Sequence, residues 1–310
     1  MSADTPNENP DDAPGDGRDL APAENVDRDR LPSTSVSGLL RASIGRIVAD
    51  PRLAVPFLVA GVVLSAVDWL RVHDPVPTTT PELVGDVTVS VAYRFYPTGL
   101  RTTGTRPAAL VDLEVGYLAR TLGLELAALL AVVVAGWLTL SRATDARESA
   151  GRSASSGRSS SAQSGFARSD TRSLDSGRLG SYLGFVVVGH LLVGLFGLLD
   201  GLGWLTLVGF VAYAVVAVRL FAAPALVVGG SGVRAAMRRS HRHAVGEGAT
   251  VFGLVVLFGI GAWLLGSVPV VGAAASTALV APVHAVATVV FAERTAANSD
   301  GRFLDGRSSR

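Results

Sequence analysis

Two histidines, His190 and His284, stand inside long apolar stretches, about nine residues into one and about twelve residues from the outer end of another. An imidazole titrates between about pH 5 and 8, so a buried pair of this kind is suited to relaying protons or touching a polar substrate. The competing reading is a neutral imidazole that bonds a carbonyl or hydroxyl of a neighbouring helix. Asp68, Glu125 and Asp200 form a second set, predicted at one edge of the apolar stretches. Three carboxylates at one level would attract a cation to the mouth of a path. Equally, Arg71 lies three residues after Asp68 and Arg120 lies close to Glu125, so local ion pairs at a wet helix end account for the same residues. These five side chains are the possible intramembrane polar or transport site.

The remaining chemistry-bearing residues point to less. His241–Arg242–His243 with Glu247 four residues on has the composition of a metal site, but a His-x-His pair shares a face on a strand rather than on a helix. The arginines around it repel a cation, so the stretch reads as the basic end of a helix. The absence of cysteine from the chain excludes disulfides, thiolate metal sites and cysteine nucleophiles. No nucleophile elbow or phosphate loop occurs, and the one serine cluster, Gly151–Ser161, sits in a stretch with no core to hold geometry. The sequence therefore assigns no catalytic residue, cofactor or metal ligand. Arg234, Arg238, Arg239 and Arg242 suit anionic lipid head groups or serve only to fix topology; with no aromatic residues interleaved, nucleic acid is discounted.

The elements that must position these groups are read from the apolar blocks Leu53–Leu70, Leu118–Leu140, Tyr182–Leu199, Trp204–Leu220, Gly248–Leu265 and Val270–Phe291. At 1.5 Å of rise per residue such blocks cover roughly 25–35 Å, the thickness of a hydrocarbon core. They lack the alternation of barrel strands, and lipid leaves no water for unpaired backbone, so they are helices. Hydrophobic residues make up 49% of the chain against 17% charged, too little polar surface for a soluble protein of 310 residues. The fold class is all-α: a polytopic membrane protein of about six transmembrane helices with a juxtamembrane amphipathic helix.

Residues 1–34, with nine carboxylates, read as a disordered acidic tail. It lacks the basic start and apolar core of a secretory signal, so the first span is expected to remain as an anchor. Residues 35–140 hold a surface helix, Ser35–Ala49, then two spans joined by a long extracytoplasmic loop, 71–117. Within that loop the alternation Val87–Val89–Val91, leading into Tyr93, Phe95 and Tyr96, suggests a strand pair. Residues 141–180 read as a disordered Ser/Gly/Arg linker, 181–294 as a four-helix transmembrane part, and 295–310 as a polar tail. Asp50 before Pro51 marks the start of the first span. Turns at Gly201 and Gly203 and at Gly266–Ser267–Val268–Pro269 make two antiparallel hairpins of the last four helices. Gly197 and Gly201 and the glycines from Gly253 to Gly272 allow close helix packing or hinges, and Pro224 and Pro282 allow broken helices. All 27 basic residues are arginine, and they gather on one side of a six-helix count, which puts both termini in the cytoplasm of a cell membrane.

The stretch Phe221–Val228 followed by Gly232–Ser240, together with the entry Ala49–Phe57, resembles a signature of six-helix prokaryotic membrane proteins, including the membrane domain attached to some glycerophosphodiester phosphodiesterases. With the acidic tail and the missing lysine and cysteine, the chain resembles such proteins of halophilic archaea. The resemblance covers residues 35–294 in architecture. Gly229 and Gly230 stand where members often carry an acidic residue, and no phosphodiesterase catalytic domain is attached. It implies a membrane module and imports no active site. The expected function is a non-catalytic accessory or structural membrane module that packs against another membrane protein; the alternative is a small permease or exporter with its path near His190 and His284, and a membrane-embedded enzyme comes third.

Overall fold

The computed structural model describes residues 35–73, 79–81, 93–99, 103–105, 113–156, 176–197, 204–268 and 271–308. The acidic tail, the Val87–Val91 alternation, Asp200, the Gly201 and Gly203 turn and Pro269 lie outside the described residues. Within them the protein is all-α, with six helical segments long and apolar enough to cross a bilayer: 51–73, 115–146, 176–195, 204–228, 248–266 and 272–298. It is a multi-pass membrane protein.

The helices are α1 (Val36–Ala49), α2 (Val55–His73), α3 (Val115–Ser156), α4 (Ser176–Gly197), α5 (Trp204–Leu220), α6 (Ala223–Val228), α7 (Val233–Ala244), α8 (Gly248–Gly266) and α9 (Gly272–Ser308). The centre is α9: 72% of its most apolar window is buried, against 50% or less in the other five spans. It touches α1, α2, α3, α6, α7 and α8. Small and hydroxylated residues make this approach close. Gly61 of α2 packs on the α9 backbone at Ala274, where an added Cβ would stand 3.0 Å from the carbonyl oxygen. Ser276, Thr277 and Thr288 are fully buried on α9 itself.

The helix ends follow their sequence signals. Ser35 caps α1 by accepting from the Gly38 N–H at 3.1 Å. Asp50 accepts from the Arg52 N–H at 3.2 Å and starts a 3-10 turn, Pro51–Leu53, before α2. That turn is tied to α3 by the Thr139 hydroxyl, which donates to the Leu53 carbonyl at 2.9 Å. α1 buries Leu39 and Ser43 and packs on α9, where Arg46 makes a bidentate pair with Glu293 at 3.1 and 2.5 Å. Its other side leaves Ile44 and Val48 exposed, one turn apart, as an amphipathic helix at a membrane surface requires.

Two boundaries differ from those expected. α3 continues as helix through 141–156 instead of giving way to linker at 141, because Ser141–Ala150 holds three alanines, two arginines and a glutamate, all good helix formers, and Ala143 is still buried. α9 likewise runs through most of 295–310 to Ser308.

The stretch Phe221–Ser240 has a local explanation. α5 stops at Leu220 and α6 restarts at Ala223 with Pro224 in its first turn, where a missing N–H costs nothing. Ser240 of α7 bridges the break: its hydroxyl donates to the Arg219 carbonyl at 2.8 Å and accepts from the Ala222 N–H at 3.1 Å. α6 then ends in paired bonds from the Gly230 N–H to the Val227 carbonyl and from the Ser231 N–H to the Leu226 carbonyl, both 3.0 Å. This arrangement needs a left-handed residue, and Gly230 has φ +93°. An acidic residue at that position would be strained. Pro282, by contrast, lies inside α9 without ending it.

Candidate functional site at a buried loop segment

Outside the helices, β1 (Thr79–Pro81) and β2 (Thr103–Thr105) form an antiparallel ribbon with Thr80 opposite Gly104. The ribbon pins together the two ends of a long excursion of the 71–117 loop. Part of that excursion, Tyr93–Gly99, runs inside the helix bundle. Six of its seven residues are buried and Arg94 is half-buried. Non-helical backbone is tolerated at such depth only where protein encloses it, and here the Tyr213 hydroxyl of α5 donates to the Tyr93 carbonyl.

The depth of the segment follows from its contacts along α9. Tyr93 meets His284, twelve residues or about 18 Å from the start of that helix, whereas Gly99 meets Ser276 and Thr277, only four or five residues in. The chain therefore rises from deep to shallow between Tyr93 and Gly99. Glycines on the walls make room for it: Gly189 of α4 faces Tyr96 and Phe95, and Gly259 of α8 faces Tyr93. Gly259, expected from the sequence to serve helix packing or a hinge, packs against a loop, as Gly189 does.

Both histidines hold this segment. The Tyr93 hydroxyl is 3.2 Å from His284 Nε2, and the His284 ring is sealed between Tyr93, Phe258 and Phe221 at centroid distances of 5.1, 5.0 and 5.7 Å. His190, fourteen residues into α4, presents Nδ1 to the Tyr96 hydroxyl at 3.2 Å and to Arg94 Nη1 at 3.3 Å; Arg94 Nη1 also donates to the Tyr96 hydroxyl at 3.3 Å. A guanidinium has no acceptor, so the nitrogen facing it must carry a lone pair. That assigns His190 as a neutral imidazole with its proton on Nε2. Protonation of Nδ1 would remove the bond from Arg94, reverse the one with Tyr96 and set two cations 3.3 Å apart.

Of the three carboxylates expected at one level, Asp68 and Glu125 are described and Asp200 lies outside the described residues. Glu125 of α3 pairs across to the buried Arg71 of α2 at 2.7 Å, so the ion pair joins two helices instead of closing within one. Glu125 also lies within Coulombic reach of Arg94. Asp68 is buried one turn before Arg71 on α2 and has interactions of its own. The loop segment thus links His190 with His284 and, through Arg94, approaches Glu125.

On α7, His241 and His243 are helical and two positions apart, so their side chains diverge. His243 is held below its ordinary pKa by burial first and by the Arg242 and Arg239 charges second. Among the described residues, no three His, Cys, Asp or Glu side chains converge as a metal would require.

Sequence reasoning missed Arg94, Tyr96 and Tyr213 as members of the site. The available signal was Tyr93–Arg94–Phe95–Tyr96: three aromatic rings in a loop want burial. Burying each is worth roughly 1.5–3 kcal/mol, together more than the roughly 2.5–3.5 kcal/mol that a membrane-embedded arginine costs. Comparison with protein-family models, with curated proteins and with solved structures gives no match to this chain, so its geometry alone carries the functional reading.

Proposed function

We propose that the protein is a non-catalytic membrane module, of the kind its sequence signature suggests, whose outer loop is threaded into the bundle to give a fixed surface for another membrane component. The observation that carries this reading is the use of both intramembrane histidines to hold segment 93–99. A histidine sealed by three rings and bonded to a tyrosine hydroxyl supports a structural role over a stop on a path. Arg234, Arg238, Arg239 and Arg242 are assigned to the cytoplasmic head-group region, with both termini on the same side of the plasma membrane.

The orientation has a direct test because the chain lacks cysteine. With an impermeant maleimide, Thr103→Cys should react in intact cells and Ser155→Cys only after lysis; the opposite pattern overturns the assignment.

The function itself is tested at the histidines. His190→Gln and His284→Gln should fold with nearly unchanged thermal stability, since an amide keeps a hydrogen bond without titrating, whereas His284→Leu should lose on the order of 1 kcal/mol. Reconstituted in liposomes carrying an internal pH dye, the wild type and both glutamine variants should show the same proton leak as empty vesicles. A pH-dependent flux in the wild type that His190→Gln abolishes while still folding would replace this reading with the permease.

A further inference from the structure

The groove between α5 and α8 lies apart from the buried loop segment. It is a cleft of about 580 Å³ that runs along α5 from Phe210 to Arg219, nine residues or about 13 Å, and ends at the turn Val245–Gly246. Its walls are apolar and outward-facing: Phe210, Val211, Val215 and Phe252 are each 41–54% exposed, on spans that face lipid. The closed end is kept open by two glycines. Gly246 has φ +88°, which excludes most side chains, and Gly248 adds no bulk.

One charged side chain lines this cleft, Arg219, in the last turn of α5. Its carbonyl accepts from Ser240, but among the described residues its guanidinium has no carboxylate within ion-pair distance and no hydrogen-bond acceptor. Glu247, in the adjacent turn, does not line the cleft. An arginine at the end of an apolar groove, with five donors and no anion, is costly unless something from outside supplies the acceptor.

We propose that this cleft binds one anionic phospholipid, with an acyl chain along the α5–α8 groove and the phosphate on Arg219. Lipid is the occupant that matches both halves: the groove is open to the bilayer along its length, and only its end at the membrane edge is cationic. Arg242 and Arg239, on the helix leading into the same turn, add to the positive field there. The inference rests on membrane residence and not on the accessory-module reading, so the histidine tests and the one below fail independently.

The full-length protein in mild detergent is titrated with phosphatidylglycerol, with phosphatidylcholine of the same chains, and with inorganic phosphate, following the unfolding temperature and the lipid retained in native mass spectra. Phosphatidylglycerol should stabilise, with about fivefold higher affinity than phosphatidylcholine, the ratio expected of about 1 kcal/mol per basic residue. Arg219→Gln should reduce that ratio to about one, and Arg219→Lys should keep most of it, so a misfolded glutamine variant does not leave the question open. Ala214→Phe, which fills the groove without touching charge, should weaken both lipids. Any of three results overturns the proposal: an unchanged ratio in folded Arg219→Gln, equal stabilisation by inorganic phosphate, or a lipid-free dimer that protects the cleft.

Discussion

Gly99→Ala is expected to destabilise the folded protein by about 3 kcal/mol and to loosen segment 93–99 from the bundle. A Cβ at this position would lie 2.7 Å from the Ser276 carbonyl carbon and closer still to the Thr277 backbone nitrogen. Both are main-chain atoms of α9, the most buried helix, and neither can turn aside as a flexible side chain would. Either α9 shifts, against six packed neighbours, or the loop backs out. The second route is cheaper, and it strips Tyr93 from His284 and Tyr96 from His190. Thr98 is buried beside the glycine, which supplies a local readout. Thr98→Cys should react slowly with maleimide in the otherwise native chain and many times faster once Gly99→Ala is added. Equal labelling rates and equal unfolding temperatures would mean that the segment is not wedged against α9.

The six spans were legible because their signal is local and strong: a run of apolar residues of the right length has no other stable outcome in lipid. The cap at Asp50 was legible for the same reason, since a cap is decided within three residues. The loop segment was not. Its seat depends on pairing with residues 94 to 191 positions away in sequence, and nothing in the alternation of residues 87–96 distinguishes a strand lying outside from a chain passing within. His190 and His284 could be singled out as costly, but their shared partner could not. The same holds for Glu125, which pairs at 2.7 Å with Arg71, 54 positions away in sequence.

The stretch Phe221–Ser240 shows how small residues, a proline and a serine can serve the frame of the bundle. Its small residues Ala222, Ala223 and Ala236 are buried, its proline opens α6, and Ser240 closes the break between α5 and α6 with one hydroxyl. Each feature serves a helix that stops and restarts near the edge of the membrane. The arginines that follow are free to differ in purpose from the frame that carries them: Arg239 reaches the Ser231 hydroxyl at 3.1 Å, while its neighbours on α7 extend the basic face.

Glu125→Ala is expected to cost about 2 kcal/mol, and the double variant Arg71→Met with Glu125→Leu to recover most of it. Removing the carboxylate takes from the guanidinium of Arg71, only 5% exposed, the acceptor it holds at 2.7 Å between α2 and α3. Breaking a fully buried pair costs about 3–5 kcal/mol; Glu125 is 25% exposed, so water that reaches it screens part of the interaction and the cost falls below that range. Replacing both charges with apolar residues of similar size removes the buried cation along with the pair, which is why the double variant should exceed the single one in stability. The loss should not be confined to α2 and α3. Arg94 lies within Coulombic reach of Glu125, and its guanidinium is placed over His190 and Tyr96. Without the carboxylate that region carries two arginines and less negative charge to balance them, so Thr98→Cys labelling should accelerate in Glu125→Ala. In the double variant it should stay fast relative to its restored stability, because Arg94 still lacks the carboxylate although the α2–α3 contact has been repaired. Unfolding temperature and labelling rate recovering together would show that Glu125 serves the helix pair alone.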